Sequence, residues 1–247
     1  MRTFCTLLLM AGIMLLTGCS KESTTTYNSS PTGISGSLSR FTIIGNRLFC
    51  LDGNTLKTFD ITNGGQPVLQ STIELSTEPE SIFTYQNYLL LGTTSGMLIY
   101  NAGDHPTYIS TYEHVVSCDP VVADNGYAFV TLRNTTNCRH TSEASRLEVI
   151  SLANMSTPEQ VAQLNMMDPY GLAVNDTLLF VADEDLHVQV ISISNRTEPY
   201  FLKTLTLMGA RDVIALPNHL LVMAEKKLAQ YDYSNVQNIQ LISQIDL

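Results

Sequence analysis

The chain of 247 residues has no tryptophan and few basic residues. Large aromatic side chains often form carbohydrate sites, so the lack of tryptophan lowers the expectation of a lectin, although 11 tyrosines remain. Lys and Arg number 13 against 23 Asp and Glu, which gives a formal net charge of −10. An acidic protein repels phosphate backbones and anionic lipid surfaces. The composition therefore argues against nucleic-acid binding and against docking on a membrane through protein charge.

The apolar segment near the N-terminus is too short to span a membrane. It covers about a dozen residues, whereas a spanning helix needs roughly 20. It follows Arg2 and ends in Leu16-Thr17-Gly18-Cys19, which looks like a bacterial lipobox. We predict a lipoprotein signal peptide over residues 1–18 and lipidation of Cys19. The alternative is a plain secretory signal with an incidental cysteine.

Residues 19–35 are polar and predict a flexible, lipidated tether between the membrane and the folded domain. Ser20 directly after the cysteine favours the bacterial outer membrane over retention in the inner membrane. Lys21-Glu22 resembles short charged tags that direct lipoproteins to the cell surface. We therefore predict an outer-membrane lipoprotein. Exposure at the cell surface and attachment on the periplasmic face are the two alternatives.

One pattern recurs five times between residues 36 and 247, with a period of about forty residues. Each copy has an extended segment, an apolar run, a polar turn, a second apolar segment and a closing extended segment. No stretch shows helical spacing. An asparagine precedes each apolar run, at Asn46, Asn87, Asn125, Asn175 and Asn218.

Four short strands per repeat predict an all-β fold, a five-bladed β-propeller with four antiparallel strands per blade. The expected units cover residues 36–76, 77–116, 117–166, 167–208 and 209–247. Because the apolar runs are continuous, each of these strands should be covered on both faces. A β-sandwich is the competing fold, but it does not explain five copies of one unit. No exchanged strand that would close the ring is evident.

The repeats resemble the LVIVD-repeat family of bacterial exported lipoprotein β-propellers. The resemblance is carried by Cys118-Asp119-Pro120-Val121-Val122, by Asp168-Pro169-Tyr170-Gly171-Leu172 and by Tyr231-Asp232-Tyr233-Ser234. The repeat is degenerate, since its aspartate is replaced by Asn or Ser in the middle units. The resemblance implies a binding or scaffolding propeller and no general reaction.

The exported part keeps three cysteines, Cys50, Cys118 and Cys138. Accessible pairs tend to oxidise outside the cytoplasm, and a Cys118–Cys138 disulfide would fix the long insertion from Arg133 to Arg146. Two free thiols are the alternative, because sequence does not give the geometry. Cys50 lies in an apolar run and is expected to be a buried small hydrophobe.

The sequence carries no motif typical of catalysis. The histidines are scattered, and neither a Gly-x-Ser-x-Gly elbow nor a phosphate-binding glycine loop is present. Asp183-Glu184-Asp185 occupies a hairpin-turn position, which favours a solvated turn over a calcium site. We therefore predict a protein that is not an enzyme and has no metal or cofactor.

Charged or polar residues recur where the innermost strand of each unit begins. In a propeller these strands line the central channel, so their side chains should meet at one mouth. They form either a polar pocket for a cation, an amine or a loop of a partner, or a ring of ion pairs that only stabilises the fold. The set comprises Arg40, Glu80, Asp119, Tyr170, Arg211 and Asp212.

The leading hypothesis is a non-enzymatic, membrane-anchored scaffold that binds an unidentified protein or small ligand. The alternatives are an extracellular hydrolase or lyase with a site at the channel mouth, and a small-molecule or glycan receptor. A propeller can host all three functions, so the fold does not separate them.

Overall fold

The computed structural model describes residues 36–114, 120–134, 144–183 and 187–247. These residues form five sheets of four antiparallel strands, and in every sheet the strands follow one another in chain order. Each sheet corresponds to one sequence repeat and is called a blade below, numbered 1 to 5. Within the described ranges, no helix is long and apolar enough to cross a membrane.

The twenty strands are short, and a single 3₁₀ turn, Val236–Asn238, precedes the last of them. Blade 1 contains β1 Phe41–Ile44, β2 Arg47–Asp52, β3 Thr55–Asp60 and β4 Val68–Glu74. Blade 2 contains β5 Pro79–Tyr85, β6 Tyr88–Thr93, β7 Gly96–Asn101 and β8 Thr107–Glu113. Blade 3 contains β9 Val121–Asp124, β10 Tyr127–Leu132, β11 Arg146–Ser151 and β12 Glu159–Asn165. Blade 4 contains β13 Pro169–Asn175, β14 Leu178–Asp183, β15 His187–Ser192 and β16 Tyr200–Leu205. Blade 5 contains β17 Ala210–Ala215, β18 His219–Ala224, β19 Lys227–Asp232 and β20 Gln240–Asp246.

The recurring asparagine lies at the hairpin between the first and second strands. In blade 3 this turn is Asn125-Gly126, whose φ angles are 46° and 83°. Two consecutive positive φ angles define the tight turn whose twist matches a β-hairpin, and Asn-Gly is its preferred pair. In blades 1, 2 and 4 the positive φ angle falls on Gly45, Gln86 and Asp176 rather than on the asparagine, so this backbone cause applies to the Asn125 turn.

A second feature recurs between the third and fourth strands, where the register shifts once in every blade. In blade 1 the shift falls between Thr58 and Phe59, and in blade 5 between Gln230 and Tyr231. Such bulges add an unpaired residue and increase the local twist. Their repetition shows that the five units share one three-dimensional plan.

Four apolar cores join successive blades, one each between blades 1 and 2, 2 and 3, 3 and 4, and 4 and 5. Each contains aromatic or branched side chains with no exposed surface, such as Phe49, Phe129 and Phe180. Blades 2, 3 and 4 are therefore covered on both faces, as the continuous apolar runs predict.

The outer faces of the two end blades differ from this prediction. Phe41 of blade 1 is 57% exposed and Ile245 of blade 5 is 57% exposed. Paired residues on the same faces, such as Ile43 with Leu48 and Ile214 with Leu221, are only partly buried. The expectation that every repeat is covered on both faces is therefore wrong for blades 1 and 5. The prediction of five four-stranded blades is confirmed, while the described residues do not show a closed ring.

The first strand of each blade lies against the first strand of the next, so β1, β5, β9, β13 and β17 form the inner edge of the array. Because strands alternate in direction, the starts of the first strands and the ends of the second strands meet at one end. We call this end the channel mouth. It is where the sequence predicts the functional side chains.

Candidate functional site

Tyr170, the second residue of β13, contacts two arginines at the channel mouth. The guanidinium carbon of Arg133, which directly follows β10, lies 3.7 Å from the centroid of its ring. The guanidinium carbon of Arg211 on β17 lies 4.3 Å from the same centroid. Three successive blades thus bring two cations onto one aromatic ring, an arrangement that the ring quadrupole stabilises.

Both arginines also face carboxylates. Arg133 Nε lies 4.0 Å from Asp168 Oδ1, and the Asp168 side chain is only 11% exposed. Arg211 Nη2 donates to Glu225 Oε1 at 2.8 Å, and the Glu225 side chain is 55% exposed. The first ion pair is buried in the wall of the mouth, whereas the second lies at its rim.

Asp212 follows Arg211 and is enclosed beside Tyr170. Its Oδ1 accepts a hydrogen bond from its neighbour Val213 N at 2.9 Å and one from Ser37 Oγ at 3.4 Å. Burial raises the pKa of this carboxyl from its ordinary value of 3.8 to about 6, although both hydrogen bonds act to lower it. The charge of Asp212 therefore changes near pH 6.

The start of the folded domain reaches this same point. Ser37 is fully buried, and its Oγ accepts a hydrogen bond from Leu172 N of blade 4 at 2.7 Å. A Cβ on either Gly36 or Gly171 would overlap the Asp212 carboxylate. Only glycine therefore allows the chain start and β13 to approach Asp212 so closely. We call Gly36, Ser37, Gly171 and Asp212 the axial cluster.

Arg40 and Glu80 belong to blades 1 and 2. Arg40 Nη1 donates a hydrogen bond to the carbonyl oxygen of Pro79 at 3.2 Å. Pro79 directly precedes Glu80, so the Arg40 guanidinium lies near the backbone of Glu80. Of the residues selected from sequence, the structure thus brings Tyr170, Arg211 and Asp212 together, and it places Arg40 near Glu80.

Several other selected residues lie outside the described ranges. They are the lipidation candidate Cys19, the mouth candidate Asp119 and the disulfide candidates Cys118 and Cys138.

Sequence reasoning missed Arg133 and Ser37. In the sequence, Arg133 stands out only as the start of an insertion, and no sequence feature singles out Ser37. The position of Arg133 at the end of a second strand was the available signal, because those ends share the mouth with the first-strand starts.

The observed burial of Asp183 and of Cys50 differs from what the sequence predicts for them. Asp183 is not a solvated turn residue, because it is fully buried and accepts hydrogen bonds from Met167 N and Asp168 N at 3.2 Å each. It fixes the approach to β13. Cys50 is partly rather than fully buried and is a free thiol, and burial raises the pKa of this thiol.

A metal centre is not evident in the described part of the chain. Across residues 36–114, 120–134, 144–183 and 187–247, no three His, Cys, Asp or Glu side chains are grouped so that they could bind a metal ion.

The fold resembles solved β-propellers, while the sequence matches no protein-family model and no curated protein. Periplasmic gluconolactonase PpgL from Pseudomonas aeruginosa superposes with a TM-score of 0.65 at 10% identity, over 82% of this chain and 68% of that one. Apo AztD from Citrobacter koseri superposes with a TM-score of 0.56 at 13% identity, over 80% of this chain and 59% of that one. BamB from Moraxella catarrhalis superposes with a TM-score of 0.54 at 10% identity, over 74% of this chain and 52% of that one.

These similarities define the chain as a β-propeller. They show the fold alone, because the identities are 10% to 13%. The chain spans 59% of the length of AztD and 52% of that of BamB.

One of these structures corrects a prediction. The lack of linear catalytic motifs predicts a protein that is not an enzyme, yet a propeller with the same fold is a gluconolactonase. That prediction is wrong, since a propeller active site can be assembled from residues of different blades that form no linear motif. The likeness, at 10% identity, does not transfer the activity itself.

Proposed function

We propose that the protein is a lipid-anchored β-propeller of the bacterial cell envelope that binds a ligand or partner at its channel mouth. The observation that carries this proposal is the convergence of Arg133, Tyr170 and Arg211 from three blades. The strands β13 and β17 carry Tyr170 and Arg211, and Arg133 directly follows β10. Convergent polar groups held by a folded frame are typical of binding sites. Recurrence of the unit in all five blades also supports membership of the LVIVD-repeat family.

The anchor and the address are part of the same proposal. The lipobox supports attachment through Cys19, and the polar residues 19–35 would let the propeller stand clear of the lipid. We expect wild type in the outer-membrane fraction and Cys19→Ala in the soluble fraction. Unchanged membrane fractionation of the variant would refute the lipid anchor.

Cross-linking in intact cells tests the binding site. We expect wild type to capture one stoichiometric partner or retain one small molecule, and Tyr170→Ala to lose it. Tyr108→Ala is the matched control, because Tyr108 is 58% exposed on the outermost strand of blade 2. Equal capture by wild type and Tyr170→Ala, with both correctly folded, would show that the channel mouth is not the site.

A second candidate function is hydrolysis at the same mouth, which the raised pKa of Asp212 favours. A carboxylate with a pKa of about 6 is suited to general acid–base catalysis near neutral pH. The test substrate is gluconolactone, because one structurally similar propeller is a gluconolactonase. Turnover that rises with pH through about 6 and disappears in Asp212→Asn would support this candidate. Absence of turnover would contradict it.

A further inference from the structure

Two guanidinium groups lie on one aromatic ring, that of Tyr170. Their carbons are 3.7 Å and 4.3 Å from one ring centroid, so they are within about 8 Å of each other. Like charges at this distance repel unless anions lie nearby. The arrangement therefore creates a position at the channel mouth where negative charge is stabilised.

Among the described residues, Asp168 pairs with Arg133 and Glu225 pairs with Arg211, and these two carboxylates differ in burial. Asp168 beside Arg133 has a side chain that is 11% exposed, so it is a fixed part of the wall. Glu225 on Arg211 has a side chain that is 55% exposed. Exposed ion pairs contribute little, because water screens the two charges. A ligand carboxylate can therefore replace Glu225 on Arg211 at little cost.

The arginine pair also favours carboxylates through its geometry. A guanidinium presents a planar fork of donors that fits a carboxylate through two parallel hydrogen bonds. The Tyr170 ring orients both guanidinium groups before a ligand arrives, which lowers the entropy lost on binding. An amine would instead meet two positive charges.

We propose that Arg133 and Arg211, stacked on Tyr170, form a site for a small molecule that bears a carboxylate group. This inference rests on the proposed function of the channel mouth and names its ligand class. It differs from the cation, amine or partner loop that the sequence offers as one alternative for this mouth, because Arg133 adds a positive charge that the sequence set does not include. Glu225 is the internal carboxylate that the ligand displaces.

The test uses the full lipidated chain in detergent, with citrate as the probe. Thermal unfolding is followed against citrate concentration, with sodium chloride at matched ionic strength as the reference. Phosphate, glucose and spermidine serve as non-carboxylate, neutral and cationic compounds. We expect citrate to raise the melting temperature beyond the salt effect and beyond each of the other compounds.

Variants separate binding from folding. Arg211→Gln is expected to weaken citrate binding by at least about tenfold, because it removes charge-assisted hydrogen bonds. Glu225→Gln is expected to tighten it by up to about fivefold, because the exposed internal competitor is lost. Arg47→Gln and Asp104→Asn are the matched controls, since these residues form an exposed ion pair elsewhere and should leave citrate binding unchanged.

Defined results would overturn the inference. Citrate that acts no more strongly than sodium chloride, or that binds Arg211→Gln as well as wild type, would refute a carboxylate site. Stronger stabilisation by phosphate would refute the choice of carboxylate. Stabilisation by glucose or spermidine that is lost in Tyr170→Ala would refute the ligand class but leave the channel mouth as the binding site. If no compound acts and cross-linking captures nothing, both proposals fail.

Discussion

The junction between blades 4 and 5 and the junction between blades 5 and 1 are built differently. Blades 4 and 5 share an apolar core in which Phe180, Val213 and Val222 have no exposed surface. Blade 5 meets the start of blade 1 through the polar axial cluster, where Ser37 bonds to Asp212 and to Leu172 N. The apolar faces further out on these two blades, including Phe41 and Ile245, remain exposed or only partly buried.

The difference shows that apolar sequence alone does not produce a buried core. Blade 1 repeats the apolar pattern of the inner blades, but its outer face lacks the close partner that blades 2 to 4 have on both sides. Burial of apolar area stabilises only when a neighbour excludes water. We therefore expect stability to come mainly from the four interblade cores, with a smaller, pH-dependent contribution from the axial cluster.

The largest effect should come from emptying an interblade core. Phe180→Ala is expected to lower the free energy of unfolding by about 3–5 kcal/mol, because the side chain is fully buried and its removal leaves a cavity. Phe41→Ala is the matched change on the outer face of blade 1, and we expect a loss below about 1 kcal/mol. Urea unfolding measures both. Similar losses would mean that blade 1 is covered as tightly as the inner blades.

The next effect concerns the charge of Asp212. Its pKa is raised from 3.8 to about 6, so the folded state binds the proton more tightly than the unfolded chain does. Its contribution to stability is fully present below pH 3.8 and is lost as the pH rises through about 6. Asp212→Asn should therefore gain stability relative to wild type between pH 4 and pH 7, by at most about 3 kcal/mol before solvent screening.

Urea unfolding at several pH values measures this difference. Asp232→Asn in the same blade is the control of opposite sign, because hydrogen bonds from Ser234 lower the pKa of Asp232. The contribution of Asp232 is present above its ordinary pKa and is lost as the pH falls. A pH-independent difference between wild type and Asp212→Asn would contradict the raised pKa.

The smallest predicted effect tests the close approach at the axial cluster. A Cβ on Gly171 would overlap the Asp212 carboxylate and lie 2.8 Å from Asp212 Cα, so β13 and β17 would have to separate. Gly171→Ala is expected to cost about 1–3 kcal/mol. Gly64→Ala has open space around it and should change stability by less than about 0.5 kcal/mol. Thermal unfolding measures the stability of both variants. Equal stability of Gly171→Ala and Gly64→Ala would contradict the predicted steric overlap at Asp212.

Much of the fold follows from local pattern. Asn125-Gly126 predicts its hairpin because only a few residues adopt positive φ angles readily. The apolar runs predict the second strand of every blade, as β2, β6, β10, β14 and β18 confirm. Asp183 could not be interpreted in this way, since a carboxylate in a turn looks the same in sequence whether water or backbone N–H groups surround it.

The candidate site was only partly accessible from sequence. Tyr170, Arg211 and Asp212 could be selected because they begin inner strands, where a propeller places its channel. Their partners Arg133 and Ser37 could not be selected in this way. Arg133 follows a second strand rather than beginning a first strand, and Ser37 lies 175 residues from Asp212 along the chain. For the same reason, a linear motif does not reveal a site that a propeller assembles from residues of several blades.

The sequence by itself determined the five repeats, the four strands in each and the turns between them, because hydrogen bonding and φ preferences act over a few residues. Only the tertiary structure decided which repeats share a core, since burial requires a partner face that belongs to another repeat. It also decided that two arginines share the ring of Tyr170 and that Asp212 is enclosed by Gly36 and Gly171. Charge and desolvation depend on distance in space, which the order of residues does not contain.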